Sequence, residues 1–181
     1  MKLTVKKEVF RKYPKFRLGF ILIDYCNYTE NLEESRKLLQ ETEMLTKLTY
    51  HNDTLKNHDL LRTWTLAQED FGKKTPHYHT SVEKLFNVIK KGKTTATKNT
   101  VQNLINYVSL KYMIPFGADE YDLIKGDVTF ALAKGNERRN ILKSLHKGDI
   151  YYKDDKGILG TKMDFWKSPR TKLRPPTPRV L

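Results

Sequence analysis

The amino-acid sequence predicts an α+β fold, and three observations lead to this prediction. An apolar, β-rich run occurs near the amino terminus, segments with helical periodicity follow it, and the pattern changes to strands after residue 126. Strands and helices that fall in separate stretches of the chain are typical of the α+β class. The length of 181 residues indicates one domain.

The first predicted element is a buried strand in the apolar run at residues 16–25. Residues 31–45 are predicted as a helix, with Asn31 or Thr29 as the N-cap and acidic residues in the first turn. Four leucines of this helix fall roughly on one face, which we expect to be its buried face: Leu32, Leu38, Leu39 and Leu45.

Three further helices are predicted, which gives about four in all. Residues 54–70 carry spaced leucines and end before a glycine. Residues 81–91 begin with Ser81 as the expected cap and stop at a glycine, and residues 101–112 end before a proline.

Strands are predicted at residues 127–134 and 148–153, with a return strand beginning at 158. The intervening Asp154-Asp155-Lys156-Gly157 has the composition of a turn, which predicts a hairpin. The adjacent Asp154 and Asp155 could also be a catalytic or metal-binding carboxylate pair, but the following Lys-Gly favours the corner of the hairpin.

The carboxyl-terminal residues 162–181 form a basic, proline-rich tail, so we assign residues 1–161 to the domain. The tail also has a second interpretation, as an incomplete end of that domain. Phe165 and Trp166 lie beside basic residues, where they could stack on bases or pack back onto the domain.

The chain carries 34 Lys and Arg against 21 Asp and Glu, a formal charge of +13. Such a balance is typical of domains that bind phosphate backbones, although a lysine-rich surface can also serve solubility alone. No apolar run is long enough to span a membrane, so we expect a soluble, cytoplasmic protein without membrane partners.

Motifs for metals and cofactors are weak. His77 and His79 could form a metal pair, but no third ligand has convincing spacing. Cys26, the single cysteine, rules out an internal disulfide and a cysteine-rich zinc site. Neither a P-loop nor a dinucleotide fingerprint occurs. We therefore expect no metal and no cofactor.

A lysine- and threonine-rich loop between the third and fourth helices is the best candidate for phosphate contacts. Its threonines and an expected flexible backbone suit this role, and the alternative is an ordinary solvated loop. The candidate RNA-binding side chains are Lys90, Lys91, Lys93 and Lys98.

About half of the chain, residues 71–159, resembles the B3/4 domain of the phenylalanine-tRNA ligase beta subunit in its stand-alone form. This likeness implies a B3/4-like α+β fold, with a mixed β-sheet packed with about four helices. It depends on the order and spacing of several segments, which are Phe71-Gly72, Tyr78, 81–85, 106–112, 114–118, 126–128, 133–137, 148–152 and 154–159.

In the synthetase this domain hydrolyses tyrosine that is wrongly esterified to the phenylalanine tRNA. The resemblance therefore implies binding of the tRNA acceptor end and hydrolysis of mischarged aminoacyl-tRNA in trans, without a cofactor and without ligase activity. Selecting tyrosine requires a pocket that hydrogen-bonds its hydroxyl. The substrate-binding residues implied are Asn106, which matches a pocket asparagine, and Tyr107, Pro115, Phe116 and Gly117.

The chain departs from the synthetase at several points. Gly117 stands in place of the pocket histidine, as it does in stand-alone members, and residues 166–172 contain no clear equivalent of the acidic residue that recognises the tyrosine hydroxyl. Stand-alone relatives also continue into another helix and strand, so we expect a shortened product or a fragment. The carboxylates nearest the pocket are Asp119, Glu120 and Asp122.

Three functions remain open at this point. The first is the editing hydrolase, the second a non-catalytic RNA-binding module, and the third a protein that binds a free amino acid. Asn106 also has an ordinary alternative, a helix amide that makes an internal hydrogen bond. The oligomeric state is not predicted.

Overall fold

The computed structural model describes most of the chain. The described residues are 1–24, 27–50, 58–59, 61–62, 79–140, 143–162, 166–174 and 179–181. Cys26, His77, Phe165 and most of the predicted helix at 54–70 lie outside these residues.

A mixed five-stranded sheet forms one layer of the fold, as predicted. In spatial order its strands are β1 (Leu3–Val5), β3 (Val128–Leu132), β6 (Ile150–Asp154), β7 (Gly157–Thr161) and β8 (Trp166–Lys167). β1 runs parallel to β3, and the other neighbours are antiparallel. β6 and β7 form the predicted hairpin, which confirms that Asp154 and Asp155 lie at its corner.

Two pairs of short strands lie outside this sheet. β2 (Ile23–Asp24) pairs antiparallel with β9 (Arg179–Val180), and β4 (Arg138–Asn140) pairs with β5 (Lys143–Ser144). β8 and β9 both belong to the carboxyl-terminal segment, so parts of that segment take part in the sheets.

Four α-helices occur in the described residues: α1 (Lys7–Lys12), α2 (Leu32–Thr49), α3 (Ser81–Lys90) and α4 (Thr100–Tyr112). The predictions for α2, α3 and α4 are confirmed. α3 is capped by Thr80 instead of Ser81, because Thr80 and Glu83 form a reciprocal capping box. Asn31 precedes α2 in a left-handed conformation without capping through its side chain.

The helices α2, α3 and α4 pack around one apolar cluster. Its buried members include Leu39 of α2, Phe86 of α3 and Leu110 of α4. A second cluster, with Val101 and Ile105 of α4, contacts Val180 of β9 and so connects the helices to the carboxyl-terminal strand. None of the described helices is both long and apolar enough to cross a membrane.

The prediction of a buried strand at 16–25 is wrong. Within the described part of this run only Ile23–Asp24 form a strand, and Ile21 is 61% exposed. β3, β6 and β7 occupy the inner positions of the main sheet, whereas β2 pairs with the short β9 and with no other strand of the described part of the chain. An apolar, β-prone composition favours strand geometry but does not determine which segment obtains an inner position.

The expected leucine face of α2 is also wrong in part. Leu39 is fully buried, whereas Leu45 is 64% exposed. The buried face instead consists of Ser35, Leu39, Glu43 and Thr46. The two polar side chains Ser35 and Glu43 replace leucines here because they hydrogen-bond to polar groups of a neighbouring loop and helix.

Candidate functional site

The loop that joins α3 to α4, residues 91–99, is hydrogen-bonded on its inner side to Glu43 of α2. One carboxylate oxygen of Glu43 accepts hydrogen bonds from the backbone N–H and the hydroxyl of Thr95, at 2.6 and 2.5 Å. The other oxygen accepts from the Thr94 hydroxyl at 2.9 Å. Glu43 is itself buried, so this carboxylate fixes the first half of the loop.

Asn103 of α4 fixes the second half. Its side-chain oxygen accepts from the backbone N–H of Thr97 at 2.7 Å and from the Thr97 hydroxyl at 3.0 Å. Its amide nitrogen donates to the Ser35 hydroxyl on α2 at 3.2 Å. Asn103 is fully buried, so the contacts join loop, α4 and α2.

These contacts correct the expectation of a flexible loop whose threonines contact phosphate. The threonine hydroxyls donate inward, because a buried carboxylate and amide need hydrogen-bond partners. The four predicted lysines are all exposed: Lys90, Lys91, Lys93 and Lys98. The loop therefore presents ammonium groups to solvent from a backbone that is anchored on its inner side.

Asn106 lies on α4 beneath the same loop. Its amide nitrogen donates to the carbonyl oxygen of Thr95 at 3.0 Å, and its oxygen accepts from the Gln102 side chain at 2.9 Å. An Asn amide offers two N–H donors and two acceptor positions. These two bonds use one of each, so Asn106 supports the loop and retains capacity for one further donor and one further acceptor contact.

Tyr107, the next residue, is half-buried against the helical cluster and directs its hydroxyl to the surface. The Lys111 ammonium donates to this hydroxyl at 2.6 Å and lies 5.1 Å from the centre of the Tyr107 ring. It also lies 5.6 Å from the centre of the exposed Tyr112 ring. The hydrogen bond to Tyr107 raises the pKa of Lys111, and charge interactions with Tyr107 and Tyr112 contribute further.

The segment after α4 carries the remaining predicted site residues. Pro115 and Phe116 are half-buried, and Phe116 packs against Val101 and Ile105 of α4. The Phe116 backbone N–H donates to the Ser81 hydroxyl at 3.3 Å. Gly117, in contrast, is exposed.

The immediate neighbour of Gly117 is Lys167 of β8. The Lys167 ammonium lies 3.3 Å from the position that a Cβ on Gly117 would occupy. It donates to the carbonyl oxygen of Ala118 at 2.7 Å and to the carboxylate of Asp119 at 2.8 Å. Asp119 also accepts from the hydroxyls of Tyr152 and Thr171, at 2.9 and 2.6 Å.

The three acidic residues named from the sequence have different surroundings. Asp119 is buried and holds Lys167, whereas the Asp122 side chain contacts Arg179. Glu120 donates its backbone N–H to the carbonyl oxygen of Thr171 at 2.8 Å. The sequence indicated Lys167 only as a basic neighbour of Trp166 that could touch phosphate. It did not indicate the contact with Asp119, nor Tyr152 or Thr171, because these residues lie 33 to 52 positions from Asp119.

The predicted pocket residues thus fall into two groups with different polar partners. Asn106 and Tyr107 lie on α4, where Asn106 contacts the loop at residues 91–99, which we call the lysine loop. Gly117 lies beside Lys167 and Asp119, and Phe116 links the groups through its packing on α4. Among the described residues, no three His, Cys, Asp or Glu side chains form a group that could hold a metal ion.

The chain was compared with models of known protein families. The model of the B3/4 domain family matches residues 65–181, which includes α3, α4, most strands of the main sheet and the Gly117–Lys167 contact. A search of curated proteins and a search of solved structures each returned no match.

Proposed function

We propose a function that rests on one premise: this chain belongs to the B3/4 domain family. The B3/4 domain is found in phenylalanyl-tRNA synthetase beta subunits, which is consistent with a tRNA-related role. We propose that this chain binds the acceptor end of a tRNA and hydrolyses a mischarged aminoacyl ester in trans, with tyrosine on phenylalanine tRNA as the substrate.

The observation that carries the proposal is the anchored lysine loop. Lys90, Lys91, Lys93 and Lys98 are exposed within nine consecutive positions, on a backbone held by Glu43 and Asn103. Ammonium groups contact phosphates through charge, and each contact releases counterions. An anchored loop loses little conformational entropy when the tRNA binds, so less of the binding free energy is lost in ordering it.

The substrate contacts in this proposal come from Asn106, Tyr107, Pro115, Phe116 and Gly117. Asn106 is buried and keeps one amide N–H and one acceptor position beyond its two bonds, and Gly117 is exposed. In the reaction, the oxygen of a water molecule bonds to the ester carbonyl carbon and the bond from that carbon to the ribose oxygen breaks. The ribose oxygen takes the proton, which releases the amino acid and an uncharged tRNA.

The burial of Asp119 favours a second candidate, a non-catalytic RNA-binding module. Its carboxylate already accepts three hydrogen bonds, from Lys167, Tyr152 and Thr171. A carboxylate that orients a water molecule needs open access to the substrate, which a buried and occupied group lacks. This second candidate keeps the lysine loop and the tRNA partner but releases no amino acid.

Replacing Lys93 and Lys98 together by Gln is expected to weaken tRNA binding by about tenfold or more. It is also expected to reduce the slope of log K against log salt by roughly 1.5, because two phosphate contacts are lost. Binding of the phenylalanine tRNA over a range of salt concentrations measures both quantities. Release of tyrosine from tyrosyl-tRNA(Phe) by the unaltered protein measures the hydrolysis.

The matched control replaces Lys153 and Lys156 by Gln, which removes the same charge from the exposed β6–β7 hairpin. This control is expected to leave the salt slope unchanged. Equal losses in both pairs would show that only the net charge matters, and the assignment to the loop would be wrong. Binding without tyrosine release would favour the non-catalytic module, and indifference to tRNA would favour binding of a free amino acid.

A further inference from the structure

The Lys167 ammonium lies against Gly117, and its side chain is partly exposed to solvent. It lies 3.3 Å from the position of a Cβ on Gly117, so any larger residue there would press against it. The Lys167 side chain is 28% exposed, whereas its carboxylate partner Asp119 is buried. Lys167 therefore connects a buried carboxylate to the protein surface next to the exposed Gly117.

The position of this ammonium is fixed by four protein groups. It donates directly to the Ala118 carbonyl and to Asp119. The hydroxyls of Tyr152 and Thr171 hold the Asp119 carboxylate in turn. An ammonium whose two acceptors are this well fixed is pre-organised for a third one.

The third N–H of Lys167 is the group available to a ligand. An ammonium has three donors, and the two bonds within the described part of the chain use two of them. The ammonium lies beside Gly117, the one position in the segment 115–117 that is exposed, and the Lys167 side chain is itself 28% exposed. A ligand atom that contacts the exposed part of the Lys167 side chain next to Gly117 would be the acceptor for this third N–H.

The charge balance decides which acceptor suits this donor. Asp119 offsets the charge of Lys167, so the pair is close to neutral and has little long-range attraction for phosphate. A carbonyl oxygen needs only one well-placed, charge-assisted donor. In the loop at 91–99 the buried Glu43 carboxylate accepts from Thr94 and Thr95 and not from the exposed lysines, so these ammonium groups suit phosphates better.

We propose that Lys167 donates a hydrogen bond to the carbonyl oxygen of the acyl group on the tRNA, and so distinguishes aminoacylated from uncharged tRNA. This inference rests on the proposed function, since it requires that the tRNA acceptor end reaches Gly117. Where the ester is hydrolysed, the carbonyl electron pair moves onto the oxygen as the water oxygen bonds to carbon. Lys167 stabilises that oxygen until the pair returns and the bond to the ribose oxygen breaks.

The test compares two ligands that the protein cannot hydrolyse: uncharged phenylalanine tRNA, and the same tRNA with tyrosine attached through a 3′-amide. The unaltered protein is expected to bind the amide-linked form about tenfold more tightly, the effect of one charge-assisted hydrogen bond. Lys167→Met is expected to abolish this preference, so that this variant binds the two forms with equal affinity. Lys167→Arg is expected to retain part of it.

Lys167→Met leaves Asp119 without its cation, which could prevent folding. Gly117→Ala therefore provides a second variant, because it places a methyl group against the ammonium and keeps both charges. Gly117 does not have a left-handed φ, so alanine fits its backbone. The preference is expected to fall several-fold in this variant. Arg170→Met is the control, since Arg170 pairs with another buried carboxylate, Asp154, and we expect it to keep the full preference.

Each result has one meaning. If the unaltered protein binds neither tRNA, both the proposed function and this inference are wrong. If it binds both forms equally, the tRNA-binding role stands and the Lys167 inference is wrong. If it prefers the amide-linked form and Gly117→Ala and Lys167→Met both keep that preference, another group recognises the acyl carbonyl. If Arg170→Met also loses the preference, the effect is a loss of stability and the assignment to Lys167 is overturned.

Discussion

Asp154→Ala is expected to lower the free energy of unfolding by about 2–3 kcal/mol, because it removes a buried carboxylate that is the acceptor for several N–H donors. The Asp154 carboxylate is fully buried at the β6–β7 corner and accepts from the Arg170 guanidinium at 2.7 Å. It also accepts from the backbone N–H groups of Lys125, Lys156 and Gly157, at 2.8, 2.9 and 3.1 Å. Removing it leaves these donors without their acceptor. Chemical denaturation monitored by circular dichroism measures the loss.

The same carboxylate makes stability depend on pH. Burial alone would raise the pKa of Asp154, but the hydrogen bonds from Arg170 and from the Lys125 and Lys156 amides outweigh burial and lower it. Because the pKa is lower in the folded than in the unfolded state, this carboxylate contributes stability above the unfolded value near pH 4. That contribution disappears as the pH falls below about 4 towards the folded pKa. The stability difference between the unaltered protein and Asp154→Asn is therefore expected to shrink from pH 6 to pH 2.

Asp155→Asn is the matched control, since Asp155 lies at the same corner but is exposed. It is expected to change the free energy of unfolding by less than about 0.5 kcal/mol. If Asp154→Ala and Asp155→Asn had similar small effects, the buried network at this corner would not stabilise the fold. A difference that stayed constant down to pH 2 would show that the pKa of Asp154 is not lowered by folding.

This hairpin illustrates which part of the fold the sequence could predict. The turn composition of residues 154–157 and the flanking strand patterns are local signals, and the structure confirms them. The helices α3 and α4 were predicted to within one residue at either end for the same reason. Local propensity and capping determine these elements, and neighbours in the fold do not override them.

The remaining features depend on contacts between distant parts of the chain. Ile21 lies in a run with the composition of a buried strand, yet which strands occupy the inner sheet positions is decided by tertiary pairing. The contact of Lys167 with Asp119 joins residues 48 positions apart. Nothing in the composition around either residue indicates the other. Glu43 is a similar case, since a glutamate in an amphipathic helix is ordinarily assigned to the solvent face.

Glu43→Ala is expected to lower the free energy of unfolding by about 2–3 kcal/mol and to weaken tRNA binding as well. The substitution removes the acceptor for the Thr95 backbone N–H and for the Thr94 and Thr95 hydroxyls. A buried donor left without a partner costs about 1–3 kcal/mol. The loop would then leave its anchored position, and its three lysines, Lys91, Lys93 and Lys98, would have to be ordered again when the tRNA binds. We expect the affinity for tRNA to fall by about threefold to tenfold, with little change in salt slope, since the lysines themselves remain.

Two variants separate anchoring from charge. Glu43→Gln keeps an oxygen acceptor for Thr95, so it is expected to recover more than half of the lost stability and affinity. Glu41→Ala removes the same charge from an exposed position of α2 and is expected to affect neither quantity measurably. Hydrogen exchange of the loop amides provides an independent measurement, in which Glu43→Ala is expected to accelerate the exchange of Thr95. If Glu43→Ala accelerated this exchange without weakening tRNA binding, the order of the loop would be irrelevant to the lysines, and the tRNA would contact another surface of the protein.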